Sequence, residues 1–175
     1  MPQPETIRNA ILDAAESRAR TSGYNGFSFR DLAADVGIKS ASVHYHFPTK
    51  GDLAHELTER YRTSALERLS EPESPRDALD RLVVLFRSAA IQNEMCLCGA
   101  LGASRGALPE PVQQSAVRFS QGLVAWLKQV PNWQKELPMP PEAIIALLEG
   151  ALLLSVTAHD PDYFEKSIAP LLAQR

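Results

Sequence analysis

The chain has 175 residues, of which 45% are hydrophobic and 22% are charged, and its formal net charge is −3 at pH 7. This composition is typical of a soluble globular protein of one or two small domains, and we expect no membrane span because no apolar run reaches the ~18 residues that a span needs. The acidic balance argues against a nucleic-acid partner on charge alone, since residues 1–50 carry +1 and the remainder carries −4; such a function would need a motif to support it.

The chain begins Met-Pro-Gln-Pro-Glu, without the basic and apolar regions of a secretory signal, so we expect a cytoplasmic protein. Two cysteines fit a reducing compartment better than a disulfide framework. Cys96 and Cys98 lie two positions apart, which is not the Cys-x-x-Cys spacing of a zinc or redox site. We predict buried structural thiols; thiol sensing of an oxidant or electrophile is the alternative, and a metal site is less favoured.

The first two predicted helices are amphipathic. Residues 5–22 place Ile7 and Ile11 on one apolar stripe, which predicts a scaffold helix that packs across the elements that follow. Ser28 and Asp31 form a capping box that begins a second helix. Leu32, Ala33 and Val36 are its apolar face.

A very short helix follows. Gly37 tolerates the positive φ of a helix end, and a helix is predicted over Ser40–His46. Pro48 ends it, because the residue before a proline is pushed out of the helical region. Thr49 and Asp52 then form a second capping box, which opens a helix over residues 49–69.

The surface of this short helix has an unusual composition. Val43 and Phe47, four positions apart, can face a core. Its other residues are Ser40, Ala41, Ser42, His44, Tyr45 and His46. Small and hydrogen-bonding side chains of this kind suit close approach to base-pair edges, and two short helices joined by a glycine-containing turn indicate a helix-turn-helix.

The stretch Tyr24–Leu53 closely resembles the DNA-binding signature of the TetR family of bacterial transcriptional regulators, and the match covers roughly Glu5 to Leu57. The resemblance implies an all-α protein of about nine helices. Residues 1–48 would form a three-helix DNA-binding domain with the helix-turn-helix. Residues 49–175 would form a helical effector-binding and dimerisation domain, with the helix over residues 49–69 connecting the two.

The same resemblance assigns DNA contacts to individual residues. Base contacts would come from Ser40, Ala41, Ser42 and His44. Phosphate contacts would come from Ser28, Tyr45, His46 and Lys50, and Arg30 could make either kind. The chain departs from the family pattern at Lys39, where a helix-capping Ser is common, and at His44, where Tyr is usual. Lys39 is nevertheless included in the predicted DNA-binding set.

Helical periodicity continues through the rest of the chain. It predicts helices over residues 78–92, 110–129, 142–157 and from Asp160 onward, an interrupted helix over 95–106 and a proline-rich loop over 130–141. The last two helices are apolar on more than one side, which predicts a four-helix interface between two copies of the chain. Its residues would be Ile144, Leu148, Ala151, Leu152, Phe164, Ile168 and Leu171. Gly150 would permit close approach; the alternative is that both helices are intramolecular core.

By resemblance, the protein is a ligand-responsive regulator, most simply a repressor, that binds a palindromic operator as a homodimer and is released by a small, mostly apolar effector. Candidate pocket residues are Phe86, Met95, Cys96, Leu101, Phe119, Trp126 and Leu148. A thiol-based sensor using Cys96 or Cys98 and a DNA-binding protein without an effector are the rival hypotheses. We predict no enzymatic activity and no cofactor, because the sequence has no glycine-rich phosphate loop, nucleophile elbow or metal-spaced triad.

Overall fold

A computed structural model describes residues 4–137 and 139–173. The described residues form ten α-helices and two 3₁₀ helices without a β-strand, so the predicted all-α fold is confirmed. The α-helices are α1 (Pro4–Ser22), α2 (Phe29–Val36), α3 (Ser40–His46), α4 (Lys50–Leu69), α5 (Pro75–Ile91), α6 (Leu97–Gly102), α7 (Glu110–Lys128), α8 (Trp133–Glu136), α9 (Pro141–Ala158) and α10 (Pro161–Ala173). The 3₁₀ helices are Tyr24–Gly26 and Arg105–Ala107.

The helices fall into two compact units. The first unit combines the chain through Tyr61 with the segment Leu97–Val117, and the second combines Arg62–Cys96 with the chain from Arg118 onward. The helices α4 and α7 each run from one unit into the other. The functional division into residues 1–48 and 49–175 remains a prediction, because compact packing units do not by themselves define functional domains.

The core of the first unit is a single apolar cluster. Ile11 and Leu12 of α1 meet Leu32 of α2 and Val43 of α3 in this cluster, and all four are buried. The short helix α6 also joins the cluster, with Leu97 and Leu101. The helix-turn-helix is therefore packed on the first helix, as predicted, and also on a segment from the middle of the chain that the sequence did not assign to it.

The local signals around the helix-turn-helix are confirmed. Gly37 ends α2 in the left-handed region at φ 73°, and Ile38 N–H returns to the carbonyl oxygen of Ala33. The capping box of Ser28 is complete, and that of Thr49 is formed by reciprocal hydrogen bonds with Asp52. The helix α3 is limited to the seven residues Ser40–His46 because α2 ends at Gly37 before it and the Thr49–Asp52 capping box begins α4 after it.

The second unit is built on α5, α9 and α10, which pack on one another. The Arg87 guanidinium on α5 makes two hydrogen bonds to the Glu165 carboxylate on α10, at 2.5 and 2.9 Å. This pair raises the pKa of Arg87, chiefly through those hydrogen bonds. On the side of α7, the Trp126 indole donates to the carbonyl oxygen of Ser70 at 2.8 Å.

Two expectations about segments need correction. The loop predicted over residues 130–141 contains the one-turn helix α8, in which Trp133 is buried and donates to the carbonyl oxygen of Met139; Pro138 lies outside the described residues. The helix α9 is also long and apolar enough to cross a membrane by length and composition, with a mean hydropathy of 1.6, contrary to our expectation. A core helix passes the same test, so one such helix is weak support for a membrane protein.

The seven residues predicted to form the dimer interface are all buried inside the protomer. They leave no side-chain surface for a second copy without rearrangement. The exposed apolar positions of α9 and α10 are instead Leu153 and Leu154, both 50% exposed, and Tyr163. Only 39% of α9 is buried within the chain, because its apolar surface extends beyond the stripe that the protomer covers.

Candidate nucleic-acid interface

The helix α3 is anchored on one side and displayed on the other. Val43 is fully buried in the core of the first unit, whereas Lys39, Ser40, Ala41 and His44 are exposed. Tyr45 is 82% exposed, and its ring meets the His46 ring edge-on at 5.2 Å. An aromatic side chain held almost wholly in solvent, next to small polar residues, forms a surface that another molecule can approach closely.

Contacts with α1 and α2 hold α3 in place. The His44 ring packs edge-on against Phe29 of α2, with 4.7 Å between the centroids. The Arg18 guanidinium of α1 bonds the Asp35 carboxylate of α2, with the longer of two contacts at 2.8 Å. These hydrogen bonds are the main reason that the pKa of Asp35 is lowered. The Phe29–His44 contact thus joins α3 to α2, and the bidentate Arg18–Asp35 ion pair joins α2 to α1.

The far end of α3 is held by α1 as well. The Arg8 guanidinium lies over the Phe47 ring, 5.1 Å from its centroid, and also pairs with Glu56 of α4. Phe47 itself is buried and ends α3. The first helix therefore restrains α3 at its C-terminal end, while Phe29 restrains the face at His44.

Ser28 has little capacity left for a phosphate. Its hydroxyl donates to the Asp31 carboxylate at 2.6 Å and accepts from the Asp31 N–H at 3.3 Å. The hydrogen bond from the hydroxyl, together with one from the Ser28 backbone N–H, lowers the pKa of the Asp31 carboxyl. The one hydroxyl hydrogen is already committed to the capping box, so a phosphate contact from this side chain would have to break it.

Lys50 is also engaged within the protein. Its ammonium donates to the carbonyl oxygen of Phe27 at 2.6 Å. It lies 4.5 Å from the centre of the Tyr24 ring and 4.4 Å from that of Phe27. Burial lowers the pKa of Lys50, and the charge of Asp31 partly opposes this. The phosphate contact of Lys50 stays a prediction; in this structure, which contains no DNA, the ammonium lies against two aromatic rings.

Arg30, on α2, is the remaining predicted contact, and its side chain is exposed on the same element pair. Ser42 and His46 are half-buried. The ten predicted residues are therefore brought to one region of the first unit, but they are not equivalent. Eight can present side chains outward to some extent, whereas Ser28 and Lys50 have intramolecular partners.

The structure places the seven predicted effector-pocket residues in both units. Phe86, Cys96, Phe119 and Leu148 are buried in the second unit, and Met95 and Trp126 are half-buried there. Leu101 belongs to the core of the first unit. Two cavities of the second unit are open, and neither is lined by any of the seven.

The larger of these cavities, about 670 Å³, lies beside α8 and the start of α9, and it is lined by Trp133, Lys135 and Glu142 among others. The smaller, about 380 Å³, lies between the end of α4 and α5, where Leu69, Val84 and Leu85 contribute apolar walls. Both volumes fall in the range of small-molecule sites.

Both cysteines are free and buried. The Cys96 thiol is hydrogen-bonded to the Glu149 carboxyl on α9. Burial raises the pKa of Glu149 to about 10, and Cys96 adds to the shift. Sequence reasoning missed Glu149, although a single acid in the middle of an apolar helix was a signal that could have been used. A buried thiol beside a carboxyl lacks the electropositive surroundings of a reactive cysteine.

Within residues 4–137 and 139–173, no group of three or more His, Cys, Asp or Glu side chains is placed to hold a metal ion.

Two short helices joined by a left-handed glycine turn, the second of them displayed outward, define a helix-turn-helix protein of the DNA-binding class. Residues 11–57 match the family model described as bacterial regulatory proteins, tetR family. The segment that holds the helix-turn-helix thus matches the TetR family model, and the fold of the chain is that of TetR-family DNA-binding regulators.

Solved structures resemble the chain over nearly its whole length. A TetR-family transcriptional regulator from Agrobacterium tumefaciens is 28% identical, with a TM-score of 0.84 and 98% of each chain covered. A TetR regulator from Legionella pneumophila is 27% identical, with a TM-score of 0.81 and coverage of 98% of this chain and 96% of that one.

NalD from Pseudomonas aeruginosa, the secondary repressor of the MexAB-OprM multidrug efflux pump, shares the fold at 22% identity. Its TM-score is 0.62, and the match covers 97% of this chain and 95% of that one. The curated proteins contain no match to this sequence.

Proposed function

We propose that the protein is a cytoplasmic transcriptional repressor that binds a palindromic operator as a homodimer and is released by a small, mostly apolar effector. The observation that carries the DNA-binding part is the display of α3: Val43 is buried, while Ser40, Ala41, His44 and Tyr45 face solvent. The repressor role follows the usual role of the family and that of NalD, a repressor that shares the fold.

Readout of the operator is assigned to the exposed face of α3. Ser40, Ala41, Ser42 and His44 would contact base edges in the major groove, since short side chains with donors and acceptors can approach them closely. Tyr45 and His46 would contact phosphates, and Arg30 and Lys39 would add positive charge at the rim. Because the net charge of the chain is −3, these local cations would supply the attraction to phosphates, and the base contacts would supply the specificity.

Dimerisation is assigned to α9 and α10. Leu153, Leu154 and Tyr163 are exposed apolar side chains on these helices. Among the described residues, no atom lies within 4 Å of where a Cβ would stand on Gly150. That open space would let a partner helix approach closely. A two-fold axis through this surface would supply the second α3 that a palindrome requires.

The effector would bind in the second unit, which contains six of the seven candidate pocket residues. Phe86, Phe119 and Leu148 would provide apolar surface, and the Cys96–Glu149 pair would provide polar groups. Binding would favour a conformation in which the two α3 helices no longer match the half-site spacing. This requires that the effector binds the released conformation more tightly than the DNA-binding conformation.

Selection of binding sites from random duplex DNA tests the proposal. Purified protein should enrich a palindrome whose half-site centres lie one helical turn or a multiple of it apart. His44→Ala should weaken the enrichment and relax the base preference at one position of each half-site, whereas Lys135→Ala, a change of an exposed lysine in the second unit, should leave both unchanged. An absence of enrichment at low salt, where phosphate contacts are strongest, would contradict the proposal.

The effector part has its own test. Thermal shifts of the protein across a chemically diverse library should identify compounds that raise the melting temperature, and these should release the selected palindrome. A flat response throughout the library would favour the rival hypothesis of a DNA-binding protein without an effector.

A further inference from the structure

The smaller cavity of the second unit has an apolar wall that remains in contact with water. It has a volume of about 380 Å³ and lies between the C-terminal end of α4 and the outer side of α5. Leu69, Val84 and Leu85 form the wall. Val84 is 61% exposed and Leu85 is half-buried, so an apolar ligand that covered them would remove this surface from water at a gain in free energy.

Charged side chains gather at one end of this cavity. Arg68 lies in the last turn of α4, and Asp80 and Arg81 lie in α5. The two helices meet at this end, because Arg81 donates to the carbonyl oxygen of Leu69. Ser88 lies at the other end of the cavity, about 12 Å from Asp80 along the axis of α5 at 1.5 Å per residue. The cavity is therefore elongated, with a charged end and an apolar middle.

Most polar groups near the charged end already have partners. Arg81 donates to the Asp77 carboxylate at 2.9 Å and to the carbonyl oxygen of Leu69 at 3.1 Å. The carbonyl oxygen of Ser70, the next residue, accepts the Trp126 indole N–H at 2.8 Å. The acceptors at the end of α4 are thus occupied, so they do not favour a cationic ligand.

Arg68 differs from these groups. Its side chain is exposed, and within residues 4–137 and 139–173 its guanidinium makes no hydrogen bond or ion pair. Asp80 is engaged within the protein, and its charge contributes to the raised pKa of Arg87. The unused hydrogen-bonding capacity at the charged end is therefore a set of guanidinium donors, whose geometry matches a carboxylate.

We propose that this cavity binds a small amphiphilic carboxylate. The carboxylate pairs with Arg68, and a medium-length apolar body lies along Leu69, Val84 and Leu85. None of the seven candidate effector-pocket residues lines the cavity, so this is a site in addition to the proposed effector pocket. Binding is measured on protein without DNA, and the test therefore stands or fails independently of the proposed DNA-binding function.

Isothermal titration calorimetry with three probes of equal chain length tests the ligand class. The probes are octanoate, 1-octanol and octylammonium, which carry a negative, no and a positive charge. Octanoate should bind best, with one molecule per chain. Arg68→Gln should weaken octanoate binding about fivefold, the effect of one partly exposed ion pair, and should leave the binding of 1-octanol unchanged.

A second charge variant should act in the opposite direction. Asp80→Asn removes a negative charge from the same end of the cavity and should strengthen octanoate binding, because like charges repel. Arg105→Gln, which changes an exposed arginine of the first unit, is the control for the loss of a positive charge and should have no effect. A purely structural role of Arg68 and Asp80 would not give opposite effects on an anion.

The apolar wall has its own variant. Val84→Asp places a charge where the apolar body would lie and should lower octanoate affinity at least tenfold, because the carboxylate would be desolvated. Val117→Asp is the matched control, since Val117 is an apolar residue of α7 that is 52% exposed. Both positions are on the surface, and circular dichroism and thermal unfolding establish that the two variants are folded.

Three results would overturn the proposal. One is an absence of octanoate binding at millimolar concentration, and another is equal binding of all three probes. The third is octanoate binding that neither Arg68→Gln nor Val84→Asp weakens, because the molecule would then occupy a different site. If a second copy of the chain covers this face instead, octanoate should not bind, and Val84→Asp should lower the mass in sedimentation velocity.

Discussion

The Glu149 carboxyl on α9 is hydrogen-bonded to the Cys96 thiol, which is buried just before α6. Burial holds the pKa of Glu149 at about 10, so the carboxyl is neutral at pH 7. A neutral acid in an apolar helix is costly to maintain, because the unfolded chain ionises it freely.

Glu149→Gln should therefore stabilise the protein at neutral pH. Because the folded pKa of about 10 lies above the ordinary 4.5, the folded state binds the extra proton between these values, and stability falls as pH rises through that window. The glutamine removes this loss, which is on the order of 3 kcal/mol at pH 7. Urea unfolding at pH 5 and pH 8 should show a larger gain at pH 8.

Glu142→Gln is the matched control on the same helix. Lys128 lowers the pKa of Glu142 through a hydrogen bond, so its carboxylate stabilises the protein above its unfolded pKa and loses that effect as pH falls. This variant should be slightly less stable at neutral pH. A Glu149→Gln protein that is less stable than wild type at pH 8 would contradict the assigned burial.

Gly37→Ala should destabilise the first unit by about 1 kcal/mol, because Gly37 lies at φ 73° and an alanine there is strained. Gly102→Ala is the control, since its Cβ would meet nothing within 4 Å and its φ is not positive. It should be neutral or stabilising in thermal unfolding. Equal effects of the two changes would show that backbone conformation at Gly37 is not the cause.

Leu154→Glu should convert the proposed dimer into monomer in sedimentation velocity at micromolar concentration. The side chain is 50% exposed on α9, so the charge causes little harm to the protomer but would be desolvated in an interface. Ile91→Glu alters a 68% exposed apolar residue of α5 and should leave the mass unchanged. If both variants remain dimeric, the interface lies on another surface.

His44→Ala should lower affinity for the selected palindrome by about 1–3 kcal/mol and relax base preference at one position of each half-site. Its ring is exposed at the edge of α3 and rests against Phe29. Titration against duplexes altered at single positions measures both effects. A uniform loss at every position would indicate a phosphate contact instead.

Hydrogen peroxide should leave DNA binding unchanged, and the double variant Cys96→Ser, Cys98→Ser should behave like the wild type. Both thiols are buried, and Cys96 adjoins a carboxyl. Release of the operator by peroxide in the wild type but not in the double variant would instead support the thiol-sensor hypothesis.

Much of the local structure was predictable because its causes are local. Gly37, Pro48 and the two capping boxes act on residues within four positions, and they define α3 correctly as Ser40–His46. The bounds of the last two helices were also close. Short-range backbone chemistry is enough to explain these successes.

Contacts between residues that are distant in the sequence could not be predicted. The Lys50 position in the motif suggested an outward-reaching lysine, but its partner Phe27 lies 23 residues away. Periodicity identified Ile144 and Phe164 as parts of apolar helix faces. It does not show whether such a face is buried by the same chain or by a second copy of it. Both are buried within the protomer.

Hydroxyl-radical footprinting of the selected palindrome tests the central claim most directly, namely that two copies of α3 bind two half-sites. We expect two protected patches on one face of the duplex, with centres separated by one helical turn, about 10 base pairs, or a multiple of it. His44→Ala should weaken both patches together. A single patch, or uniform protection that does not depend on sequence, would contradict the claim.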